Sequence, residues 1–419
     1  MNNIDELLKE CNSADIQYIK LGELCSVITK QTGFDYSNHI KEKLIRERIS
    51  GAVPYIQTKF FEGKRFDYDT DYYVPAEVVS KFPKITLDEK CLLFSIVGAS
   101  IGNVGLFPND QICFLGGAIC VAKVLPQYNV EYLYYCAESN VVQKQIKKKT
   151  KGAGQATITI EDIREIKVPF PLKDIQESIV NTLNCYEEAK RILVIKLRME
   201  ADCRKKQYQY YLDTVIGNSS DNKVKLSELG TLTRGKRFVH ADAVEAGIPC
   251  VHYGELYTYY GLVTSEVKSH IREDLRDKMR YASTEDLIIV AAGENKTDIG
   301  IGLVWEGKEK VAVHDACYIL NHKQNARYLS YYLRTTDYHK QIRKYVSEGK
   351  ICSISAEGIG KAIIPLPAIN EQERIVDVIE KLDSKYSKLM KDILDEVDFL
   401  NKQYEYYRDM VLSFGKQEV

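Results

Sequence analysis

The chain has 419 residues, of which 45% are hydrophobic and 28% charged, so it is long enough for two or three domains and is not a disordered chain. Its formal net charge of -1 excludes a global basic field for nucleic-acid binding, so any such contact must come from local clusters. The eleven cysteines contain no C-x-x-C pair, which fits neither a zinc ribbon nor a small disulfide scaffold and favours reduced thiols in a cytoplasmic protein.

The chain begins with the acidic, amphipathic stretch MNNIDELLKE. This pattern is wrong for a signal peptide and predicts an N-terminal helix that leads into the first domain. No apolar run approaches the ~18 residues that a membrane span needs. We therefore expect a cytoplasmic protein.

Residues 1–168 are predicted to form a first α+β domain, the first head. Its β-rich run Cys91 to Gly98 ends in the glycine-containing loop GASIGNVG, and one late helix is expected around Tyr132 to Lys148. The stretch KQIKKKTKG, Lys144 to Gly152, contains five lysines and no acid. Such a cluster suits DNA phosphates, although an ordinary solvated helix face has the same composition.

Residues 169–217 are predicted to form a central long helix. Pro169 and Pro171 end the preceding strand, and Asp174 with Glu177 has the spacing of a helix start. Apolar residues then recur at intervals of four and three, which is the seam of a coiled coil. The predicted contact residues of this seam are Ile179, Leu183, Leu193, Leu197, Tyr208 and Tyr211. Residues 173–216, 44 in number, give a helix about 66 Å long.

Residues 218–364 are predicted to form the second α+β domain, the second head. Its entry, GTLTRGKRF from Gly230 to Phe238, comes within one residue of the phosphate-binding pattern G-x-x-x-x-G-K-[ST]. Arg237 stands where the magnesium-binding hydroxyl belongs, and the first-head counterpart CSVITKQTGF has no G-K pair. We therefore interpret this stretch as a basic entry to the head, with a nucleotide hydrolase as a weak alternative.

Residues 365–419 are predicted to form a second long helix with a matching seam. Its predicted contact residues are Ile375, Ile379, Leu389, Ile393, Tyr404 and Tyr407. Each seam is too long and narrow to be covered by a small domain, so an antiparallel coiled coil of the two helices, with one head at each end, is the favoured arrangement. The alternative is two separate helices that each cover their own head.

The two halves are copies of one unit. KQYQYYLDTV, Lys206 to Val215, recurs as KQYEYYRDMV, Lys402 to Val411, at an offset of 196 residues, and KQIK from Lys144 recurs as KQIR from Lys340. No metal-spaced histidine pair, nucleophile elbow, dinucleotide fingerprint or amino-methyltransferase signature is present. We therefore expect two α+β heads in a pseudo-twofold repeat, without catalytic residues and without a metal site.

This order of head, P-x-P segment with a Q-E pair and long helix, twice over, resembles the DNA specificity subunits of type I restriction-modification systems over essentially the whole chain. The motifs that carry the resemblance are Gln176–Glu177, Gln372–Glu373, the G-E-L or S-E-L opening of each head, and PLPAINEQERIV. The first copy, PFPLKDIQESIV, departs from the usual form at Ile175. The resemblance implies two target recognition domains that each read one half of a split, asymmetric DNA site.

The resemblance also implies partners and cofactors. Modification subunits would dock on the long helices, hold S-adenosylmethionine and methylate adenine, whereas restriction subunits would use ATP and magnesium, so no cofactor is expected in this chain. The coiled coil would set a spacing of about one to two turns of duplex DNA. Two alternatives stay open: a specificity subunit whose partner is a fused methyltransferase-nuclease, and a coiled-coil scaffold that does not bind DNA.

The candidate DNA-contacting residues are polar or aromatic side chains in or near the predicted loops and basic clusters. Lysine and arginine suit guanine, and asparagine and glutamine suit adenine. In the first head they are Lys30, Gln31, Gln57, Thr58, Lys59, Arg65, Asn103, Lys147, Lys148 and Lys149. In the second head they are Arg234, Lys236, Arg237, His252, Tyr253, Asn295 and Lys296.

Overall fold

The structure is a computed structural model that describes residues 7, 9, 11, 16–152 and 156–415. The expected N-terminal helix lies mostly outside these residues; within it Leu7, Lys9 and Cys11 are helical, and Leu7 belongs to the core of the first head. The chain divides into two compact units, Met1–Lys196 with Glu396–Val419, and Leu197–Asp395. Each unit holds one α+β head and a part of both long helices, so the predicted fold class is confirmed.

The first head is built on two four-stranded sheets and two small ribbons. In sheet order, the four-stranded sheets are Tyr73–Val74, Val53–Ile56, Cys113–Leu115, Thr86–Leu87, and Cys25–Lys30, Ile119–Val124, Cys91–Ser95, Val104–Phe107. The ribbons pair Gln17–Lys20 with Lys167–Phe170 and Phe61–Glu62 with Arg65–Phe66. The core strands consist of consecutive apolar residues, because both faces of these strands are buried in the core.

The second head repeats this plan with one more strand in each large sheet. In sheet order, the five-stranded sheets are Gly230–Arg234, Cys317–His322, Leu287–Val290, Gly302–Trp305, Val263–Thr264, and Ala243–Val244, Ser269–Ile271, Ile248–Val251, Val311–Val313, Tyr281–Ala282. The ribbons pair Lys223–Lys225 with Ile363–Pro365 and Ala292–Gly293 with Cys352–Ser353.

Short helices connect the strands. In the first head they are Leu21–Leu24, Gly33–Asp35, Tyr36–Ile40, Lys41–Lys43, Thr58–Phe60, Ala76–Val79, Pro83–Ile85, Gly98–Ser100, Val130–Glu138, Asn140–Lys149 and Ile160–Arg164. In the second head they are Leu226–Leu229, His240–Asp242, Glu255–Thr258, Glu273–Lys278, Ala326–Tyr332, Thr336–Arg343 and Ala356–Gly360.

The single late helix expected around Tyr132 to Lys148 is instead two helices, Val130–Glu138 and Asn140–Lys149. The break lies at Ser139, whose backbone is extended and whose hydroxyl donates to the Cys136 carbonyl at 2.7 Å. Serine favours such a break because its short side chain competes for backbone hydrogen bonds.

The strand registers make the two heads directly comparable. Ile119 pairs with Ser95 in the first head, and Cys317 pairs with Val290 in the second. In the other large sheet of each head, one central pair of strands is parallel: Val53–Ile56 with Cys113–Leu115, and Ile248–Val251 with Val311–Val313. Equivalent residues of the two heads can therefore be read from the registers.

The long helices run from Lys173 to Gly217 and from Ile369 to Leu412. The expected segments 169–217 and 365–419 thus include the ends of the preceding strands, and Asp174, expected at the helix start, lies inside the first long helix. Gln176 and Gln372 link the two helix starts to the preceding segments, because each side-chain amide donates to a proline carbonyl five residues earlier at 2.9 Å. None of the helices in the described ranges combines the length and apolarity needed to span a bilayer.

Candidate nucleic-acid interface

In each head, two loops leave the parallel strand pair side by side. Carboxyl ends of parallel strands lie at the same edge, so the loops after Ile56 and Leu115, and after Val251 and Val313, are neighbours. We call these four segments the edge loops: residues 57–59 and 116–117 in the first head, and 252–254 and 314–316 in the second. The registers make Gln57 equivalent to His252, and Gly116–Gly117 equivalent to His314–Asp315.

The edge of the first head is small and polar. A Cβ atom at Gly116 would lie 2.5 Å from the Ile56 carbonyl oxygen, so only glycine lets the two loops approach this closely. Gln57 and Thr58 are half-buried, and Lys59 is exposed and forms an ion pair with Asp71 at 2.5 Å. This edge therefore presents the polar side chains of residues 57–59 beside a loop of two glycines.

Gln31 is not available as a base contact, and this prediction is wrong. Its side chain is only 4% exposed, its amide nitrogen donates to the Leu115 carbonyl at 3.3 Å, and its amide oxygen accepts from the Tyr55 hydroxyl at 2.9 Å. Release of this amide would leave buried groups without partners, which is costly. Gln31 therefore has a structural role, since it holds the strand ends at Tyr55 and Leu115 beside the edge loops.

The edge of the second head is aromatic. The rings of His252 and His314 lie 4.6 Å apart, Tyr253 lies 4.5 Å from His252, and the Phe238 ring packs edge-on against His314 at 4.9 Å. His314 is fixed by two hydrogen bonds, since its Nδ1 accepts from the Ala316 N–H at 3.1 Å and its Nε2 lies 3.2 Å from the Phe238 carbonyl oxygen. Burial lowers the pKa of both histidines below the ordinary value.

The basic entry of the second head borders this aromatic cluster. Arg234, Lys236 and Arg237 are exposed, and the Arg234 Nε donates to the Asp315 carbonyl at 2.7 Å. Gly235 is required because a Cβ there would lie 2.2 Å from the His314 carbonyl oxygen. The strand Gly230–Arg234 leads into this extended segment and then into the short helix His240–Asp242, which is not the loop-to-helix geometry of a phosphate-binding loop.

A hairpin that has no counterpart among the described residues of the second head presents Arg65. Its strands Phe61–Glu62 and Arg65–Phe66 are joined through Gly63, whose φ is 57°, and Arg65 is exposed. The adjacent Lys64 anchors the hairpin, because its ammonium donates to the Tyr135 hydroxyl at 2.6 Å and pairs with Glu187 at 2.7 Å. Sequence reasoning missed Lys64, since its partners lie 71 and 123 residues away.

A second group of predicted residues lies at the glycine loops. Asn103 is exposed and follows Gly102, whose carbonyl accepts from Gln143 of the helix Asn140–Lys149 at 2.9 Å. In the second head the equivalent loop is longer: the amide of Asn295 donates to Asp298 at 3.2 Å, and Lys296 is ion-paired with Glu348. Each glycine loop begins beside an edge loop, since the Ala292 N–H donates to the Ala316 carbonyl at 3.0 Å and the Ile96 N–H to the Ala118 carbonyl at 2.9 Å.

The predicted basic helix is exposed along one side. Lys147 and Lys148 are exposed, whereas Lys149 is half-buried and lies 3.8 Å from Asp162. Lys30 occupies the end of its strand opposite Cys120, and the equivalent position in the second head is Arg234 opposite Tyr318. Sequence reasoning did not select His314, Asp315 or Phe238, because their role depends on which strands pair.

The repeated helix motif attaches each head to a long helix. Asp409 accepts a hydrogen bond from the Asn140 N–H at 3.0 Å in the first unit, and Asp213 accepts one from the Thr336 N–H at 2.8 Å in the second. These aspartates are equivalent residues of KQYEYYRDMV and KQYQYYLDTV. Each caps the helix of a head, so the repeat encodes a docking contact.

In each unit the two long helices run antiparallel. In the first unit Tyr186 packs against Tyr404 and Tyr407 at 5.8 and 5.7 Å, and Lys190 lies over the Tyr404 ring at 4.3 Å. In the second unit Tyr208 stacks on Tyr386 at 4.6 Å. Lys190, a polar residue in the predicted seam, is thus accommodated by a cation–π contact.

The predicted seam residues differ in how far they are covered. Those buried against a head or the opposite helix are Ile179, Leu183, Ile375, Ile379, Ile393 and Tyr404, and those half-buried are Leu197, Tyr208 and Tyr407. Leu193, Tyr211 and Leu389 are 47%, 44% and 38% exposed, so their role as coiled-coil or partner contacts stays a prediction. A two-helix contact covers a side chain from one direction only, so residues at the margin of the seam stay open to solvent.

Among the residues that the structure describes, no three His, Cys, Asp or Glu side chains lie together as a metal site. The pKa values of buried thiols such as Cys91 and Cys317 are raised, mainly by burial, which is the behaviour of inert core cysteines.

Comparison with known proteins identifies the family. Residues 14–197 and 219–398 each match the family described as type I restriction modification DNA specificity domain. A putative type I restriction enzyme specificity subunit of Haemophilus influenzae is 24% identical over 99% of this chain and 100% of its own. The type I restriction enzyme EcoR124I/EcoR124II specificity subunit of Escherichia coli is 26% identical over 62% of this chain and 66% of its own.

The fold agrees with this match. A solved chain from work on complex assembly and conformational transition of the type I R-M system has a TM-score of 0.68 to this structure, covers 95% of this chain and 97% of that one, and is 16% identical. The two matched segments together cover most of the sequence and coincide with the internal repeat. The chain therefore belongs to the type I restriction-modification DNA specificity family.

Proposed function

We propose that this specificity subunit reads a bipartite, asymmetric DNA site, with one half-site per head, through the edge loops. The observation that carries the proposal is the difference between two equivalent edges on one scaffold. Gln57 and Gly116–Gly117 of the first head stand where the second head has His252 and His314–Asp315. Different hydrogen-bonding groups at equivalent places are what two unlike half-sites require.

Base reading would use the exposed polar atoms of these edges. Gln57 offers an amide suited to adenine, whereas Arg237 and Lys236 suit guanine. Lys30 and Arg234, at equivalent strand ends, suit phosphates near each edge. The remaining predicted contacts, including Arg65, Asn103 and Asn295, would approach DNA from neighbouring loops.

The long helices would fix the gap between the half-sites. Each head is attached by the same aspartate cap, at Asn140 or Thr336, so each sits on its helix in an equivalent manner. A continuous helix resists bending over this length, and its residue count would therefore set the number of unread base pairs.

The exposed apolar side chains of the helices would dock the modification subunits. They include Ile192, Leu193 and Ile195 in the first unit and Leu389 and Leu394 in the second, which are 38% to 63% exposed. Apolar residues clustered on a solvent-exposed helix are typical of a partner surface. Modification and restriction subunits are thus the proposed partners, with a fused methyltransferase-nuclease as the nearest alternative.

As a specificity subunit, the chain is a non-catalytic recognition subunit. S-adenosylmethionine, ATP and magnesium would act in the partner subunits. The proposed location is the cytoplasm, where these partners meet DNA.

Selection and sequencing on a random duplex pool tests the proposal. The purified chain is used alone and then with its modification partner. Two unlike short motifs separated by a fixed unread gap are expected. Failure to enrich any motif with the partner present would contradict DNA reading and favour a scaffold that does not bind DNA.

A further inference from the structure

One short helix in each head carries basic residues at equivalent positions. The helices are Asn140–Lys149 and Thr336–Arg343, and each begins at the aspartate cap described above. At the offset of 196 residues, Lys147 corresponds to Arg343 and Lys148 to Lys344, which directly follows the second helix. The two heads therefore share positive charge at these positions, although most of the surrounding sequence differs between them.

All four side chains are exposed, and none forms an ion pair with any part of the chain that the structure describes. Arg343 is the one of these four side chains whose charge acts on a nearby acid: the pKa of Glu348 is lowered first by its hydrogen bond with Lys296 and further by the charge of Arg343. Other exposed basic residues do form such pairs, for example Lys361 with Glu357 at 2.6 Å and Lys402 with Asp398 at 2.5 Å. Both faces thus carry exposed basic side chains outside any ion pair, which suits an anionic ligand.

The second head extends this charge into a cleft. The cleft has a volume of about 640 Å³ and lies between the helix Thr336–Arg343, the loop after Gly293 and the first long helix. Its lining has no aspartate or glutamate and includes five basic side chains, Lys205, Lys296, Arg334, Lys340 and Arg343, of which Lys296 is ion-paired with Glu348. The Arg334 guanidinium donates to the carbonyls of Gly302, Ser330 and Gly261 at 2.6, 3.1 and 3.1 Å, so its hydrogen-bond partners are neutral.

We propose that these two helices are the phosphate contacts of the heads, with Lys147 and Lys148 in the first head and Arg343 and Lys344 in the second. This inference rests on the proposed function. A duplex carries phosphates past both heads, so it presents the same anionic group to both helices whatever the bases are. The heads would then hold the backbone in the same way and read different sequences.

A duplex explains the pattern better than an acidic segment of a partner protein. The feature that recurs is the helix face rather than the cleft, because the position of Arg334 is occupied by Glu138 in the first head. A peptide fitted to the cleft would meet this half-buried carboxylate, paired with Arg408, in the other head. A simpler role is stabilisation of the helix C-terminus by positive charge, and this role predicts a loss of stability without any effect on DNA binding.

The test compares paired alanine variants of the full-length chain, assembled with its modification partner, on a random-sequence duplex. The variants are Lys147→Ala with Lys148→Ala, and Arg343→Ala with Lys344→Ala. Exposed, unpaired lysines of the same heads supply the controls: Lys81→Ala with Lys84→Ala, and Lys308→Ala with Lys310→Ala. The equilibrium constant for DNA binding is measured from about 50 to about 200 mM salt, and the melting temperature is measured in parallel.

In a plot of the logarithm of the binding constant against the logarithm of the salt concentration, each target pair is expected to make the negative slope shallower by about 2. Binding is expected to weaken roughly thirtyfold at ~0.15 M salt. The control pairs are expected to leave both quantities unchanged. An unchanged slope in the target variants would overturn the inference, whether the melting temperature falls or partner binding weakens. If the unsubstituted complex itself fails to bind duplex DNA, the proposed function fails as well; if it binds and the variants keep its slope, only the inference about these helices fails.

Discussion

The two heads share a strand scaffold and differ at one edge. Each has a parallel strand pair, at Ile56 and Leu115 or at Val251 and Val313, from which the edge loops leave. The first head closes this edge with two glycines, whereas the second fills it with His314 and Asp315. The difference shows that the scaffold tolerates large changes in the side chains that the edge presents, as a family of readers of different sequences requires.

The same backbone acceptor is satisfied differently in the two heads. The Leu115 carbonyl accepts from the Gln31 side chain at 3.3 Å, whereas the equivalent Val313 carbonyl accepts from the Lys236 backbone N–H at 2.9 Å. A buried carbonyl needs a partner, but the partner can be a side chain or the main chain. The entry segments can therefore diverge without loss of the edge.

In contrast to the edges, the contacts between each head and the long helices are alike in the two units. Truncation of buried residues at these contacts is expected to have the largest effect on stability. Leu183 and Ile379 are equivalent, are at most 2% exposed, and pack in the cores of the first and second units. Leu183→Ala and Ile379→Ala are each expected to lower the free energy of unfolding by about 2–5 kcal/mol. Urea denaturation measures this change.

Leu193→Ala and Leu389→Ala are the matched controls, because these residues are also equivalent but are 47% and 38% exposed. These two substitutions are expected to lower the free energy of unfolding by less than about 1 kcal/mol. Similar losses in both pairs of variants would contradict the distinction between docking and open positions. Binding of the modification partner, measured alongside, should instead weaken in the control pair.

A glycine substitution should affect the second head more than the first. Gly102 and Gly300 have φ values of 93° and 91°, where alanine is strained. A Cβ at Gly300 would lie 2.4 Å from the buried Ile342 side chain, whereas at Gly102 the nearest atom, at 2.8 Å, is the end of Gln143. Gly300→Ala is expected to lower the free energy of unfolding by ~3 kcal/mol, and Gly102→Ala by ~1–2 kcal/mol.

Denaturant unfolding of both glycine variants gives the comparison. Gly98→Ala is a control for backbone strain alone, since φ is 82° and no atom lies within 4 Å of the added Cβ. Equal losses for Gly300→Ala and Gly98→Ala would show that the contact with Ile342 adds nothing.

Removal of either aspartate cap is expected to lower the free energy of unfolding by the same amount in both units, and by less than the core substitutions do. Asp213→Ala and Asp409→Ala each remove the acceptor for the first N–H of a helix, and each is expected to cost ~1 kcal/mol. Hydrogen exchange should show faster opening of Thr336–Arg343 for one variant and of Asn140–Lys149 for the other. Opening of both helices in either variant would contradict local capping.

Acidification should weaken the second unit before the first. Burial is the main cause of lowered pKa values at four histidines of the second unit: His252, His314, His322 and His339. The unfolded chain binds protons near pH 6.5 that the folded unit does not, so the stability contribution is complete above this pH and is lost as the pH falls below it. The first unit has one histidine, the exposed His39.

Hydrogen exchange at about pH 7.5 and about pH 5.5, corrected for intrinsic rates, measures this difference. Protection is expected to fall in the strands Ile248–Val251 and Cys317–His322 of the second unit, with little change in Cys91–Ser95 of the first. Equal losses in both units would contradict a histidine origin.

The sequence predicted the repeat, the strand runs and the long helices because each depends on local pattern. The spacing from Ile375 onward, for example, is a property of one helix. The edges could not be predicted, since the proximity of His252 and His314 depends on a parallel pairing across 62 residues. Gln31 was misplaced for the same reason: its partners Tyr55 and Leu115 lie 24 and 84 residues away.

The most direct test of one half-site per head is selection on a random duplex pool with edge-loop variants, assembled with the modification partner. One variant carries Gln57→Ala and Thr58→Ala, and the other His252→Ala and Tyr253→Ala. Each is expected to change the base preference of a single half-site, a different one in each case, and to leave the gap unchanged. A change in both half-sites from one variant, or in neither half-site from both variants, would contradict this division of recognition between the heads.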